Sequence, residues 1–220
     1  MKQPQNDYEL NGIFPIPIYQ AKRNSNLDST EKKEIENIVE NEGLQQNPSL
    51  SHDLRYQSNN TEIFDTKLKN LRKYCEQHIK IYVKEVINPE NNEELDFYIT
   101  QSWLILTKPG GRHHKHSHPN SIISGVFYIA TVEDDRIFFH DPNTTAKGRI
   151  EFEIKEYNYF NSDSWVLPVE NNKLILFPAW LEHGVEQNEK ATTNRISIAF
   201  NVFPKGILGE RKMFNELKLV

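Results

Sequence analysis

The sequence predicts a mainly β domain (α+β in composition) of sandwich or jelly-roll type, with helices on its N-terminal side. Beyond Asn88-Pro89 the chain breaks into short β-branched or aromatic runs at 97–107, 121–131, 136–140, 149–154, 164–168, 173–178 and 195–203, separated by Pro, Gly, Asn or Asp. Many short strands with turn signals between them suit a sandwich or barrel. Before that point the apolar residues recur at helical spacing. The 220 residues allow one core with a substantial extension, and not two independent domains.

Taken in order, Ile13-Phe14-Pro15-Ile16-Pro17-Ile18-Tyr19 reads as an extended segment, because prolines at alternate positions remove backbone donors. Asp28-Ser29-Thr30-Glu31 is a capping box ahead of Ile35, Ile38 and Val39, and Gly43 supplies a stop. Residues 44–60, rich in Asn, Gln and Ser, read as a loop. From Thr61 the positions Phe64, Leu68, Leu71, Cys75, Ile79, Tyr82 and Val86 predict one long helix. The strand-rich part follows, and Ile207 to Val220 could close the chain with a short helix. These divisions give an N-terminal extension at 1–95, a β core at 96–204 and a tail at 205–220, together one structural domain.

Composition excludes several function classes. Lys and Arg number 26 against 31 Asp and Glu, a net charge of −5 with no basic cluster, so a nucleic-acid partner is not expected. No apolar run reaches the ~18 residues of a membrane span, and the polar start Met1-Lys2-Gln3-Pro4-Gln5-Asn6-Asp7 carries no signal-peptide stretch. A single cysteine, Cys75, rules out an intramolecular disulfide framework and fits a reducing, cytoplasmic setting. With 37% hydrophobic residues the chain can build a core, while a mean hydropathy of −0.69 demands a very polar surface. Nothing in the pattern fixes the oligomeric state, and a homo-oligomer is compatible with it.

Half of the eight histidines fall within six positions, in Gly110-Gly111-Arg112-His113-His114-Lys115-His116-Ser117-His118-Pro119. On an extended chain His114, His116 and His118 share one face, with His113, Lys115 and Ser117 on the other. Two neighbouring imidazoles can clamp one ion, and imidazole suits Fe, Zn, Cu and Ni alike. A fifth histidine, His183, follows the apolar run Leu174 to Leu181 and a turn. Arg195-Ile196-Ser197-Ile198-Ala199-Phe200-Asn201-Val202 has one wholly apolar face, while the other carries Arg195, Ser197, Ala199 and Asn201. A guanidinium on a central strand cannot face dry core, so Arg195 with Ser197 reads either as a solvated face or as a grip for an anionic ligand.

In this order, His116-Ser117-His118, His183 and Arg195-Ile196-Ser197 resemble the non-haem Fe(II) and 2-oxoglutarate-dependent oxygenases. The chain is most similar to a little-characterised group with the pattern His-x-His-Pro-x-Ser, Ser-Gly-Val-x-Tyr-Tyr, Phe-Pro-x-Trp-Leu-x-His and Arg-Ile-Ser-x-x-Phe-Asn. The matching stretches are His116 to Ser121, Ser124 to Tyr128, Phe177 to His183 and Arg195 to Asn201, with a further likeness at Phe14-Pro15-Ile16-Pro17. The resemblance implies a double-stranded β-helix core, cupin-like, flanked by N-terminal helices. It further implies Fe(II) on His116 and His183, and 2-oxoglutarate anchored by Arg195 and Ser197 with Tyr128 beside them. With O2 as oxidant, an unidentified small-molecule or peptide substrate would be hydroxylated with release of succinate and CO2.

The chain departs from the family at His118, where most relatives have Asp or Glu. Three readings stay open: His118 as a neutral third ligand, which we favour; His118 as a lining residue; or a carboxylate from elsewhere, such as Asp141, closing the triad. The register within 113–118 is open too, because His114 and His116 could form the pair instead. Two rival functions remain beside the leading one, a three-histidine cupin-type iron dioxygenase that uses no 2-oxoglutarate and a non-enzymatic jelly-roll binding module.

Overall fold

The computed structural model describes residues 10–90, 95–142 and 152–219. It contains β1 (Tyr19–Lys22), α1 (Ser29–Glu40), β2 (Leu44–Gln45), β3 (Arg55–Ser58), α2 (Ile63–Thr66), α3 (Lys69–Tyr82), β4 (Leu95–Thr107), β5 (His113–His116), β6 (Ile123–Ala130), β7 (Arg136–His140), β8 (Ser164–Pro168), β9 (Lys173–Pro178), β10 (His183–Val185), β11 (Arg195–Leu208) and β12 (Leu217–Leu219). The larger sheet runs β1-β9-β6-β11-β4-β3-β2 with β12 on the far end of β11, and the smaller runs β5-β10-β7-β8. All pairings between named strands are antiparallel.

The period-two pattern of the strands decides what each face of the larger sheet does. Ile198, Phe200 and Val202 of β11, Leu104 and Leu106 of β4, Phe127 of β6 and Leu174 and Leu176 of β9 are buried in one cluster with Phe64, Leu71, Cys75 and Ile79 of the helices. The opposite face meets the smaller sheet over a second cluster that includes Tyr128, Ile137, Phe139, Ile175 and Phe177. One sheet thus packs on helices with one face and encloses a pocket with the other.

The helices follow the sequence reading in position and differ in continuity. Asp28 caps α1 by accepting from the Thr30 and Glu31 amides at 2.8 Å each, and the Glu31 carboxylate accepts the Asp28 amide at 2.9 Å. The expected single helix from Thr61 is broken into α2 and α3, with Leu68 between them in the left-handed region at φ 50°. The apolar period continues through the break and Phe64, Leu68 and Leu71 are all fully buried. The backbone turns aside because the Phe64 amide donates to Ser102 Oγ and the Leu68 amide to the Glu34 carboxylate, both at 2.8 Å.

Four further expectations are corrected. The presumed loop at 44–60 contains β2 and β3, which extend the larger sheet, so the N-terminal extension contributes strands as well as helices. The tail forms no α-helix; β11 continues to Leu208 and β12 folds back on it. Within 13–19 only Tyr19 lies in a strand, β1, which pairs with β9. Of the run 149–154, residues 149–151 lie outside the described residues and 152–154 form no strand. No helix among the described residues is long and apolar enough to cross a membrane.

Gly125 shows how tightly the helix-facing side is built, since a Cβ there would lie 2.1 Å from the Phe200 ring. Phe200 is fully buried against Phe64, at 5.6 Å between ring centroids, and cannot swing away. Gly125→Ala is expected to destabilise the protein by about 1–3 kcal/mol, the usual range for overpacking. Urea unfolding measures it, and Phe200→Leu in the same chain should recover part of the loss.

Candidate metal centre

Two short strands of the smaller sheet bring the histidines together. β5 and β10 are antiparallel neighbours with His116 opposite His183, a placement that sets two side chains on one face. The register slips between His183 and Val185, so that His113 to His116 on β5 span the same length as three residues on β10. This bulge overrides strict alternation. His113 and His116 both line the pocket, while His114 Nδ1 lies 3.2 Å from Asp53 Oδ2. The expected shared face of His114, His116 and His118 is thus corrected to His116 and His118, joined by His113. Gly184 permits the close approach of the strands, because a Cβ there would meet the His113 carbonyl oxygen at 2.7 Å.

His118 lies just past β5, fixed by its amide, which donates to the Ala179 carbonyl at 2.9 Å. Its ring stacks on His183 at 5.2 Å and 11° and lies 5.9 Å from Trp103. The nitrogens of His116, His118 and His183 that could hold a metal ion lie within 4.8 Å of one another. His116 Nδ1 donates to the His114 carbonyl and His183 Nδ1 to the Leu181 carbonyl, both at 2.9 Å. A carbonyl only accepts, so each Nδ1 must carry the proton and each Nε2 keeps its lone pair free. Burial, reinforced by neighbouring positive charge, pulls His183 down to about 3 and His116 to about 4, and it lowers His118 too. All three imidazoles are held in the neutral form that ligates metal.

No carboxylate joins this cluster among the described residues. The candidate metal-holding groups consist of histidines alone, either His116, His118 and His183 or His113, His114 and His116. Asp141 lies past the end of β7, its amide donating to the Asp163 carbonyl at 2.8 Å. The second group shares His116 and draws on His114, whose ring is exposed at 40% and turned to Asp53.

The other end of the pocket carries the groups suited to an anion. Ser197 of β11 lies opposite Tyr128 of β6, and both line the pocket with Arg195. The Arg195 guanidinium carbon is 5.1 Å from the Tyr128 ring centroid. Burial pushes the Tyr128 phenol up, and its hydroxyl has no hydrogen-bond partner of good geometry among the described residues. Arg195 is not solvated; its Nε donates to both oxygens of Asp135, at 2.9 and 3.1 Å, in a buried pair. Asp135 thereby fixes the guanidinium plane through Nε.

Sequence reasoning missed His113 and Asp135. A bulge has no signature in a single sequence, whereas Asp135 was signalled indirectly, because an arginine on a central strand needs a counter-charge and Asp134-Asp135 lies in the turn before β7.

Residues 101–201 match the family model described as "Putative 2OG-Fe(II) oxygenase". Solved structures with the same fold include the α-ketoglutarate-dependent epimerase SnoN from nogalamycin biosynthesis (TM-score 0.59, 10% identity, 87% of this chain and 81% of that one). HygX from Streptomyces hygroscopicus, solved with nickel, 2-oxoglutarate and hygromycin B bound, is similar over 85% of this chain and 82% of its own (TM-score 0.53, 11% identity). An oxidoreductase of the 2OG-Fe(II) oxygenase family from Burkholderia pseudomallei is similar over 84% and 83% (TM-score 0.54, 11% identity). These likenesses establish the fold as a double-stranded β-helix. No protein of curated function matches the chain in sequence.

Two measurements test this geometry. Calorimetric titration with Mn(II) should show that His116→Ala, His118→Ala and His183→Ala each weaken binding by roughly a hundredfold or more, since losing even an outer-shell partner of a ligand costs 10–100-fold. His114→Ala should change it by less than about threefold. Asp135→Asn leaves Arg195 buried without its counter-charge and should lower stability in urea by about 3–5 kcal/mol. Asp134→Asn, which breaks only an exposed pair with Lys190, should leave the unfolding midpoint in place.

Proposed function

We propose that this chain, whose residues 101–201 place it in the 2-oxoglutarate/Fe(II) oxygenase family, is a hydroxylase. His116, His118 and His183 hold its iron, and Arg195 with Ser197 anchors the far carboxylate of 2-oxoglutarate. The family uses Fe(II), 2-oxoglutarate and O2 and its members are oxidoreductases. The observation that carries the proposal is a single pocket with three neutral imidazoles at one end and a braced guanidinium, a hydroxyl and an orphaned phenol at the other. When bound, Fe(II), 2-oxoglutarate and O2 supply an oxidative decarboxylation to succinate and CO2 that oxidises a substrate C–H bond.

The chain's own residues select and orient these partners. Three uncharged ligands leave a divalent metal its full charge, which favours a dianionic co-substrate over a neutral one. Arg195 presents its Nη donors because Asp135 already engages Nε, and a guanidinium fork matches the two oxygens of a carboxylate. Tyr128 remains a phenol at neutral pH, so its orphaned hydroxyl donates to the same carboxylate. Phe177, 4.5 Å from the His183 ring, and Phe139 back the histidines with apolar surface and keep water from that side.

Anaerobic addition of Fe(II) and then 2-oxoglutarate should give a visible charge-transfer band, and admitting air should yield succinate. Arg195→Met should require at least about tenfold more 2-oxoglutarate to reach half the band, since removing one partner of a buried charged pair costs about 2–5 kcal/mol. Tyr128→Phe should shift it roughly 2–10-fold, as expected for one hydrogen bond. Neither band nor succinate from the wild-type protein, together with oxygen uptake that ignores 2-oxoglutarate, would favour the cupin-type dioxygenase instead.

A further inference from the structure

The inner face of the larger sheet carries a second guanidinium. β3 sets Arg55 opposite Thr107 and Gln57 opposite Ile105 on β4, and β4 sets the same two residues opposite Arg195 and Ser197 on β11. Directly opposed residues share a face. Arg55, Thr107 and Arg195 therefore form one row across three strands, and Gln57, Ile105 and Ser197 form the next. Ile105, Arg195 and Ser197 line the pocket, so Arg55 belongs to the sheet face that encloses it.

No carboxylate among the described residues is ion-paired or hydrogen-bonded to this guanidinium, and Asp53 attracts it only from a longer distance. Arg195 is matched by Asp135. Asp53, two residues before Arg55, is engaged by Arg112 Nε at 2.8 Å, by His114 at 3.2 Å and by His52 at 3.2 Å. Arg55 makes one hydrogen bond, from Nη1 to the neutral Gln57 Oε1 at 3.3 Å, and its buried Nε has no partner. Burial draws Arg55 down only to about 10, so it stays charged at neutral pH. A half-buried guanidinium whose nearest acid is already paired elsewhere is unfavourable, and such positions are conspicuous beside a ligand pocket.

Position and geometry narrow what would satisfy it. The Arg55 charge is felt at Arg195 and at His113, His116 and His118, so it lies within electrostatic reach of both ends of the pocket. With Nη1 on Gln57, the Nε and Nη2 donors remain as a parallel pair, the arrangement that matches one carboxylate. Charge balance points the same way. A dianionic co-substrate offsets a divalent metal on neutral ligands, Asp135 offsets Arg195, and Asp53, already paired with Arg112, offsets Arg55 only in part.

We propose that Arg55, oriented by Gln57, binds a carboxylate of the substrate, which makes the substrate a small organic acid. The assignment rests on reading the same pocket as the 2-oxoglutarate site. Propionate serves as the probe, followed by ligand-observed NMR on Mn(II)-loaded protein with and without saturating 2-oxoglutarate. Arg55→Met should weaken propionate binding at least tenfold, Arg55→Lys should fall between it and wild type, and 2-oxoglutarate affinity should stay within threefold in both. The melting temperature of unliganded Arg55→Met should equal or exceed that of wild type, because a half-buried charge with no directly paired carboxylate has been removed. Propionate binding that ignores Arg55, or a melting temperature several degrees lower with propionate binding intact in Arg55→Lys, overturns the proposal. A tenfold loss of 2-oxoglutarate affinity in Arg55→Met overturns it too, by giving Arg55 to the co-substrate. Wild-type protein that binds propionate through Arg55 but never binds 2-oxoglutarate supports the carboxylate site while defeating the functional reading it was built on.

Discussion

A strand has two faces, and β11 must serve a dry core with one and a polar pocket with the other. It lies in the interior of the larger sheet, laddered to β4 on one side and β6 on the other, so its register cannot slip without exchanging every side chain between faces. Ile198, Phe200 and Val202 lock one face against the helices. That packing holds Arg195 and Ser197 in the pocket and carries the row they begin across β4 to Arg55. The helices, remote from any chemistry, thereby fix where the charged side chains point.

The polar face becomes tolerable through neutral imidazoles and matched charges. The three histidines are kept uncharged by burial, and two have their proton tied to a backbone carbonyl. Asp135 balances Arg195 at hydrogen-bond distance. These devices pre-orient the site before any ligand arrives, so little reorganisation is needed when one binds. Beside this pocket the Tyr128 hydroxyl and the Arg55 Nε are buried and make no hydrogen bond of good geometry among the described residues, which marks where the protein relies on something other than itself.

Most of the β core was legible in the sequence because its signals are local. Alternation in 195–203, the apolar run at 173–178 and the capping box at Asp28 each read correctly from a few residues. The order of motifs also brought His116, His118 and His183 together before any coordinates did. What escaped depends on partners distant in sequence. β3 reads as loop because Arg55-Tyr56-Gln57-Ser58 lacks a run of β-formers and becomes a strand only by pairing with β4. The break before α3 follows from amides captured by Ser102 and Glu34, which no helical period reveals. The inward turn of His113 needs a bulge set by β10, and the pairing of Asp135 with Arg195 spans sixty residues.

The central claim is that neutral imidazoles from β5, from the residue following its end and from β10 bind the metal without help from a carboxylate. A crystal structure of the protein grown with Mn(II) and 2-oxoglutarate, with anomalous diffraction locating the metal, tests it most directly. The account predicts one metal bonded to nitrogens of His116, His118 and His183, with Arg195 meeting the far carboxylate of the co-substrate. A metal bonded to Asp141 or another carboxylate side chain, or seated on His113 and His114 away from His183, would contradict it.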